Sequence, residues 1–283
     1  AAEADESADS DDAAGRAGVL DVARDLRTAR PEMAAVANRV NRVVARAIRA
    51  DDAPDRFVRR AIDAIEAAFG ADSAAARTAV TQLRDAEATA LATLSRSGTV
   101  RQAIAELTAA GDSVVSELVV AESRPECEGV DVAERVARET SASVTLTTEA
   151  ALPTALAARE VDAVLVGADS VLPDGDVVNK TGTRVLALVA RDVDVPVYAV
   201  ASTDKVVAAS AVAIEAIEAA RSGAKSPANA VYDGDADVHV HAPTFETTPA
   251  ALVEGVATED GLLTVEEVNA VAEAHARNAE WDR

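Results

Sequence analysis

The chain has 283 residues, 49% of them hydrophobic, so it can bury a substantial core and disorder throughout is excluded. Its 49 acidic against 27 basic residues leave a net charge of -22. With no cation excess to displace counterions, nucleic acid is excluded as a direct partner, and one cysteine, Cys127, excludes an internal disulfide framework or a multi-cysteine zinc site.

Lysine stands only at Lys180, Lys205 and Lys225, and aromatics are 2%. An acidic, lysine-poor surface is the composition expected in a salt-rich cytoplasm, where screening within about 3 Å at roughly 1 M salt makes self-repulsion tolerable. No apolar run approaches the ~20 residues that span a bilayer, and no basic segment leads into one. A soluble, halophilic, cytoplasmic protein with no membrane partner is the expectation.

Residues 1–15 combine low hydrophobicity with dense negative charge and are expected to form a disordered acidic tail. Residues 16–110 are expected to form a helical domain of four or five helices. Val36, Val40, Val43 and Val44 make one stripe at helical spacing, and Val58, Ile62 and Ile65 another. Breaks are expected at 51–54 and 69–73.

The pattern changes near Gly111. A β-rich run at 113–120 is followed by a helix over 131–140, a strand over 143–147, a helix over 152–159, a strand over 161–166, a helix over 181–192 and a strand over 195–201. Strands alternating with short helices predict an α/β domain over 111–283 with a mostly parallel sheet. A long helix over 205–221, a loop with one short strand over 223–249, and a last helix opened by the capping box at Thr264 to Glu267 complete the expectation.

Ligands of an open parallel sheet bind beyond the carboxyl ends of its strands. The residues there are 122–125, with Arg124; 167–170, with Asp169; and 202–205. Asn179, Lys180, Gly182 and Thr183 open a helix, offering amides, a cation and a hydroxyl to an anion, so a phosphorylated small molecule is the expected ligand. The plainer readings are a helix cap for 179–183 and a solvated strand-end carboxylate for Asp169. No dinucleotide, Walker, nucleophile-elbow or HExxH motif occurs, and no cofactor is expected. Cys127, between Glu126 and Glu128, reads as an incidental loop thiol. His239 and His241, with Asp235 and Asp237 before them, read as a solvated loop, so no metal is expected, and His275 reads as a surface residue.

The run VGADSVLPDGDVVNKTGTRVLALVARDVDVPVYAVAST resembles the signature of the initiation factor 2B alpha/beta/delta family, which includes ribose-1,5-bisphosphate isomerase and methylthioribose-1-phosphate isomerase. ESRPECEG, FETTPAALVEGVATEDGLLTVEEV and TARPEMAAVANRV are similar to further elements of that family. The resemblance implies an N-terminal helical domain on a C-terminal Rossmann-like domain, with homo-oligomers formed through the latter. It implies aldose–ketose isomerisation of sugar 1-phosphates by a cysteine and the aspartate matched by Asp169, with Asn179 and Lys180 on the phosphate. At the cysteine position stands Ser95, and the family's N-terminal arginine-glycine-alanine element is replaced by Arg27 to Pro31. The leading expectation is therefore a regulatory protein that binds a sugar phosphate or nucleotide and contacts translation initiation factor 2. The alternative is a ribose-1,5-bisphosphate-type isomerase.

Overall fold

The computed structural model describes the backbone of residues 2–50, 54–109 and 113–282, and the side chains of 15–50, 56–109 and 113–282. The acidic tail expected over 1–15 lies outside the described side chains except for Gly15.

Helices α1 (Ala2–Ala29), α2 (Ala34–Arg49) and α3 (Pro54–Asp85) come first. They meet around Ala23, Val44, Ala47 and Phe57, with Trp281 packed against them. Among the described residues four helices, α1 to α3 and α4 (Gly98–Leu107), fall in the span 16–110, within the expected number, but the break expected at 69–73 is absent, because α3 runs on through Phe69 to Ser73. The roughly 1 kcal/mol that Gly70 costs inside a helix is offset by packing beyond it, where Ala75, Ala76, Ala79, Val80 and Leu83 enter the sheet's core. The stripe of Val58, Ile62 and Ile65 is exposed.

After α3 come β1 (Ala90–Leu94), α4 (Gly98–Leu107), β2 (Glu117–Ala121), α5 (Glu128–Glu139), β3 (Ser143–Thr147), α6 (Leu152–Ala158), β4 (Ala163–Gly167), β5 (Ser170–Val171) and β6 (Val177–Lys180). Then follow α7 (Thr183–Asp192), β7 (Val197–Val200), α8 (Ala211–Gly223), β8 (Phe245–Thr248), β9 (Gly255–Thr258), β10 (Gly261–Leu263) and α9 (Val265–Asn278). The capping box that opens α9 is present as expected. The expected helix over 205–221 begins only at its Ser210 cap, since Thr203–Lys205 is a separate 3-10 turn.

The span 16–110 is not wholly helical: the first strand of the sheet, β1, begins at Ala90, well before the expected start of the sheet near Gly111. All five residues of β1 are buried. A strand covered on both faces shows no alternation, and Ala-Leu-Ala-Thr-Leu lacks the β-branched run that would mark it.

The main sheet runs β10-β9-β7-β4-β1-β2-β3 and is parallel except for the edge pair β9–β10. Leu94, Val119, Val164 and Val166 fill one face, and Leu91, Leu118, Val120 and Leu165 the other. From β1 the chain winds outward through β2 and β3, then returns to β4 on the other side of β1 and winds outward again. That reversal opens a crevice beyond the carboxyl ends of β1 and β4. A small antiparallel sheet, β5-β6-β8, stands beside it, its first hairpin turned at Gly175 with φ +85°.

Candidate active site at the strand-order reversal

Beyond β1 the backbone turns at once. Ser95 adopts φ +59°, a left-handed conformation rare for a residue with a side chain. Its N–H donates to Ser123 Oγ at 2.6 Å, and its hydroxyl donates to Glu128 Oε2 at 2.7 Å. Two residues later Ser97 caps α4, its Oγ accepting from the Val100 amide. β4 ends against this turn at Gly167, where a Cβ would lie 2.7 Å from both Ser97 Cβ and Oγ, so only glycine lets the two loops touch.

Asp169 follows, its amide donating to Val178 O at 2.9 Å. Burial pushes its carboxyl pKa up, against the attraction of Lys205 and Lys180, and the negative charge of Glu128 adds to the rise. Lys205 Nζ donates to Ala168 O at 2.6 Å. Ser95, Arg96, Arg101, Glu128, Asp169 and Lys180 line one cleft of about 560 Å³. It brings together Asp169, Glu128 and Ser95, groups suited to proton transfer, with four cations, Lys205 included, and the first turn of α4.

Of the expected site residues, Ser95, Asp169, Asn179 and Lys180 do line the cleft. The expected anion site at α7 is corrected. Asn179 and Lys180 belong to strand β6, and Gly182, at φ +107°, turns the chain into the helix. The amides of Gly182 and Arg184 donate to Glu246 Oε1 at 2.7 and 2.9 Å, so a carboxylate of this chain already takes that helix end. Thr183 Oγ accepts from Asn179 Nδ2 at 3.0 Å and donates to Lys180 O at 2.6 Å, latching β6 to α7. Arg124 does not reach in: it is exposed, with Nη2 3.4 Å from Ala230 O. Lys180 is buried and paired, 2.9 Å from Glu126 Oε2 and 3.5 Å from Glu128 Oε2. The Lys180 hydrogen bond, and then that of Ser226, hold Glu126 below the usual carboxylate range.

Sequence reasoning missed Arg96, Arg101 and Glu128. The signal was the run Ser95 to Thr99, a polar turn between a strand and a helix, hidden because β1 was read as helical. Cys127 sits half-buried at φ +56°, ahead of α5. His275 is corrected from surface to interior: its Nε2 lies 3.0 Å from Thr203 O, and burial lowers its pKa. His239 and His241 lie in an exposed irregular stretch. Among the described residues, no group of three or more His, Cys, Asp or Glu is placed to hold a metal ion, and no helix is long and apolar enough to cross a membrane.

Comparison with known proteins agrees with this architecture. The chain is 35% identical over 176 residues to a methylthioribose-1-phosphate isomerase of Cronobacter sakazakii, covering 60% of this chain and 51% of the relative. It is 34% identical over 168 residues to a ribose 1,5-bisphosphate isomerase of Haloterrigena turkmenica, covering 56% and 50%. The chain thus spans about half the length of these curated relatives. Among solved structures, the translation initiation factor eIF-2B of Pyrococcus horikoshii OT3 superposes with a TM-score of 0.62 at 21% identity, over 88% of this chain and 82% of that one. The 5-methylthioribose 1-phosphate isomerase of the same organism gives 0.60 at 20% identity, over 86% and 68%. The model of the initiation factor 2 subunit family matches residues 3–265, and with a match over nearly its whole length the chain belongs to that family.

Proposed function

We propose that the chain is an aldose–ketose isomerase of pentose 1-phosphates. The observation that carries this reading is the cleft at the strand-order reversal, where Asp169, held toward its protonated form by burial, shares one cavity with Ser95 beneath the first turn of α4. Converting an aldose 1-phosphate to a ketose 1-phosphate moves a hydrogen from C2 to C1 and opens the sugar ring. The ring oxygen needs an acid, which a protonated carboxyl supplies, and C2 needs a group that removes a proton. Phosphate has its own place, since the first turn of α4 offers amides and the helix dipole, with Arg96 and Arg101 beside it. The isomerase relatives support the same reading.

Turnover of ribose 1,5-bisphosphate and methylthioribose 1-phosphate by the purified chain in molar salt tests it. Conversion of at least one, abolished by Asp169→Asn, is the expected result; no conversion of either overturns it.

One observation favours a second reading. A hydroxyl at Ser95, where the family resemblance implies a thiol, suits a regulatory subunit that binds a sugar phosphate or nucleotide without turning it over and contacts translation initiation factor 2. Under either reading we place the chain in a homo-oligomer joined through its α/β half, where Val185 and Leu188 expose an apolar face of α7. The tetrameric eIF2B-beta2-delta2 complex from C. thermophilum, which shares this fold with a TM-score of 0.62 at 18% identity and contains two kinds of subunit, is in keeping with oligomeric assembly as such.

A further inference from the structure

Building on the isomerase reading, we propose that Glu128 is the proton acceptor that makes the Ser95 hydroxyl competent, the two forming a relay at C2 of the sugar. A serine hydroxyl alone is far too weak an acid to lose its proton near neutrality. Here its direction is fixed: the amide of Ser95 is pinned by Ser123 Oγ, Ser123 is itself buried with its own amide held by Glu149 Oε1 at 2.7 Å, and the left-handed turn at Ser95 points the hydroxyl to Glu128 Oε2 at 2.7 Å. Glu128 in turn has cations beside it, Lys180 Nζ at 3.5 Å and Arg96 at 3.9 Å, so a negative charge is matched there. A nucleophile or proton carrier, a carboxylate in hydrogen-bond reach and a group that orients the carboxylate is the arrangement by which hydroxyls are activated.

The step balances. Asp169 gives its proton to the ring oxygen as the bond from C1 to that oxygen breaks. Ser95 Oγ takes the proton from C2 while passing its own to Glu128 Oε2, and the electron pair of the C2–H bond forms the C1–C2 double bond. In the return, Glu128 delivers its proton through Ser95 to C1, and the hydroxyl on C2 gives its proton back to Asp169, leaving a ketone at C2. No oxidant, reductant or metal is required, and both carboxyl groups regain their starting states.

The test is a set of steady-state measurements with ribose 1,5-bisphosphate and methylthioribose 1-phosphate on the wild type, Glu128→Gln, Ser95→Cys and the double variant. Glu128→Gln is expected to lower kcat about 10²- to 10⁴-fold with KM little changed. In the Ser95→Cys background the same change should cost less than about tenfold, because a thiol of pKa near 8.5 ionises without help. Glu128→Asp, which keeps the charge beside Lys180 but draws the carboxylate back from Ser95, should fall between Glu128→Gln and wild type. Unchanged kcat in Glu128→Gln overturns the relay. So does an equal loss in both backgrounds, which would make Glu128 only a support for Lys180. A wild type that converts neither sugar overturns the isomerase reading itself and the relay with it, an outcome separate from wild-type turnover that survives the loss of Glu128.

Discussion

Arg42 Nη1 lies 2.5 Å from Asp204 Oδ1, and this pair, with Arg39 Nε 2.7 Å from Oδ2, fastens helix α2 to the turn that carries Lys205. Asn38 adds two bonds to the same turn, donating to Asp204 O at 2.9 Å and Val206 O at 2.7 Å. Lys205 then reaches Ala168 O beside Asp169. The helical half of the molecule therefore helps to set the surroundings of the candidate acid, although no residue of α2 lines the cleft.

Breaking this pair should cost stability and change its acid dependence. Burial pushes the Asp204 carboxyl up, but the hydrogen bonds from Arg42 and Arg39 outweigh it and hold the group below the usual carboxylate range. A lowered folded-state pKa contributes stability that is fully present above the unfolded-state value and lost as pH falls through the folded-state value. Asp204→Asn should lose about 3–5 kcal/mol at neutral pH, and the gap to wild type should narrow as the solution is acidified. Urea unfolding at a series of pH values measures both; a constant gap would contradict the account.

Asp169→Asn should have the opposite sign. Burial raises the pKa of this carboxyl despite Lys205 and Lys180, so the folded protein disfavours its ionised form. Stability from such a group rises as pH falls through its folded-state value and is lost at neutral pH, where the unfolded chain ionises the carboxyl more readily than the fold does. The amide variant should melt higher than wild type at neutral pH, with that advantage shrinking toward acid, while turnover is lost. A lower melting temperature at neutral pH would show that the two lysines outweigh burial.

Gly167→Ala should clash with Ser97, costing about 1–3 kcal/mol and distorting the turn that holds Ser95. The second change Ser97→Gly removes the atoms the new methyl meets. The double variant should regain more stability than the two single effects predict, by a coupling of roughly 0.5–3 kcal/mol. Additive losses would mean that the two loops do not touch as described.

Arg101→Ala should weaken binding of a sugar bisphosphate by about 10- to 150-fold, the equivalent of one charge-assisted contact worth roughly 1.5–3 kcal/mol. Arg124→Ala, whose side chain lies outside the cleft, should leave affinity within about twofold. Calorimetry in high salt separates the two, and equal effects would return the anion site to the 122–125 loop.

Much of the α/β half was legible because β3, α6 and α7 carry ordinary signals: β-branched runs, a proline in the first turn of α6, and a glycine that turns the chain into α7. β1 was not, since an alanine-rich strand buried on both faces has the composition of a helix and the periodicity of neither. Losing that strand also hid the turn from Ser95 to Thr99 and, with it, Arg96 and Arg101. Lys180 stands out by its motif, but its partners Glu126 and Glu128 come from the loop before α5 and the first residue of that helix, more than fifty residues earlier, a pairing no local spacing reveals. Arg124 was misplaced for the converse reason: adjacency to a strand end says where a residue starts, not which way the loop then turns.

The isomerisation can be followed at the reacting carbon by ¹³C NMR of ribose 1,5-bisphosphate labelled at C2, incubated with the purified chain in molar salt. The expected result is that the labelled carbon becomes a ketone with wild-type protein and stays unchanged with Asp169→Asn. A labelled sugar that binds the wild type, broadening its signals, yet never acquires a ketone carbon would contradict it.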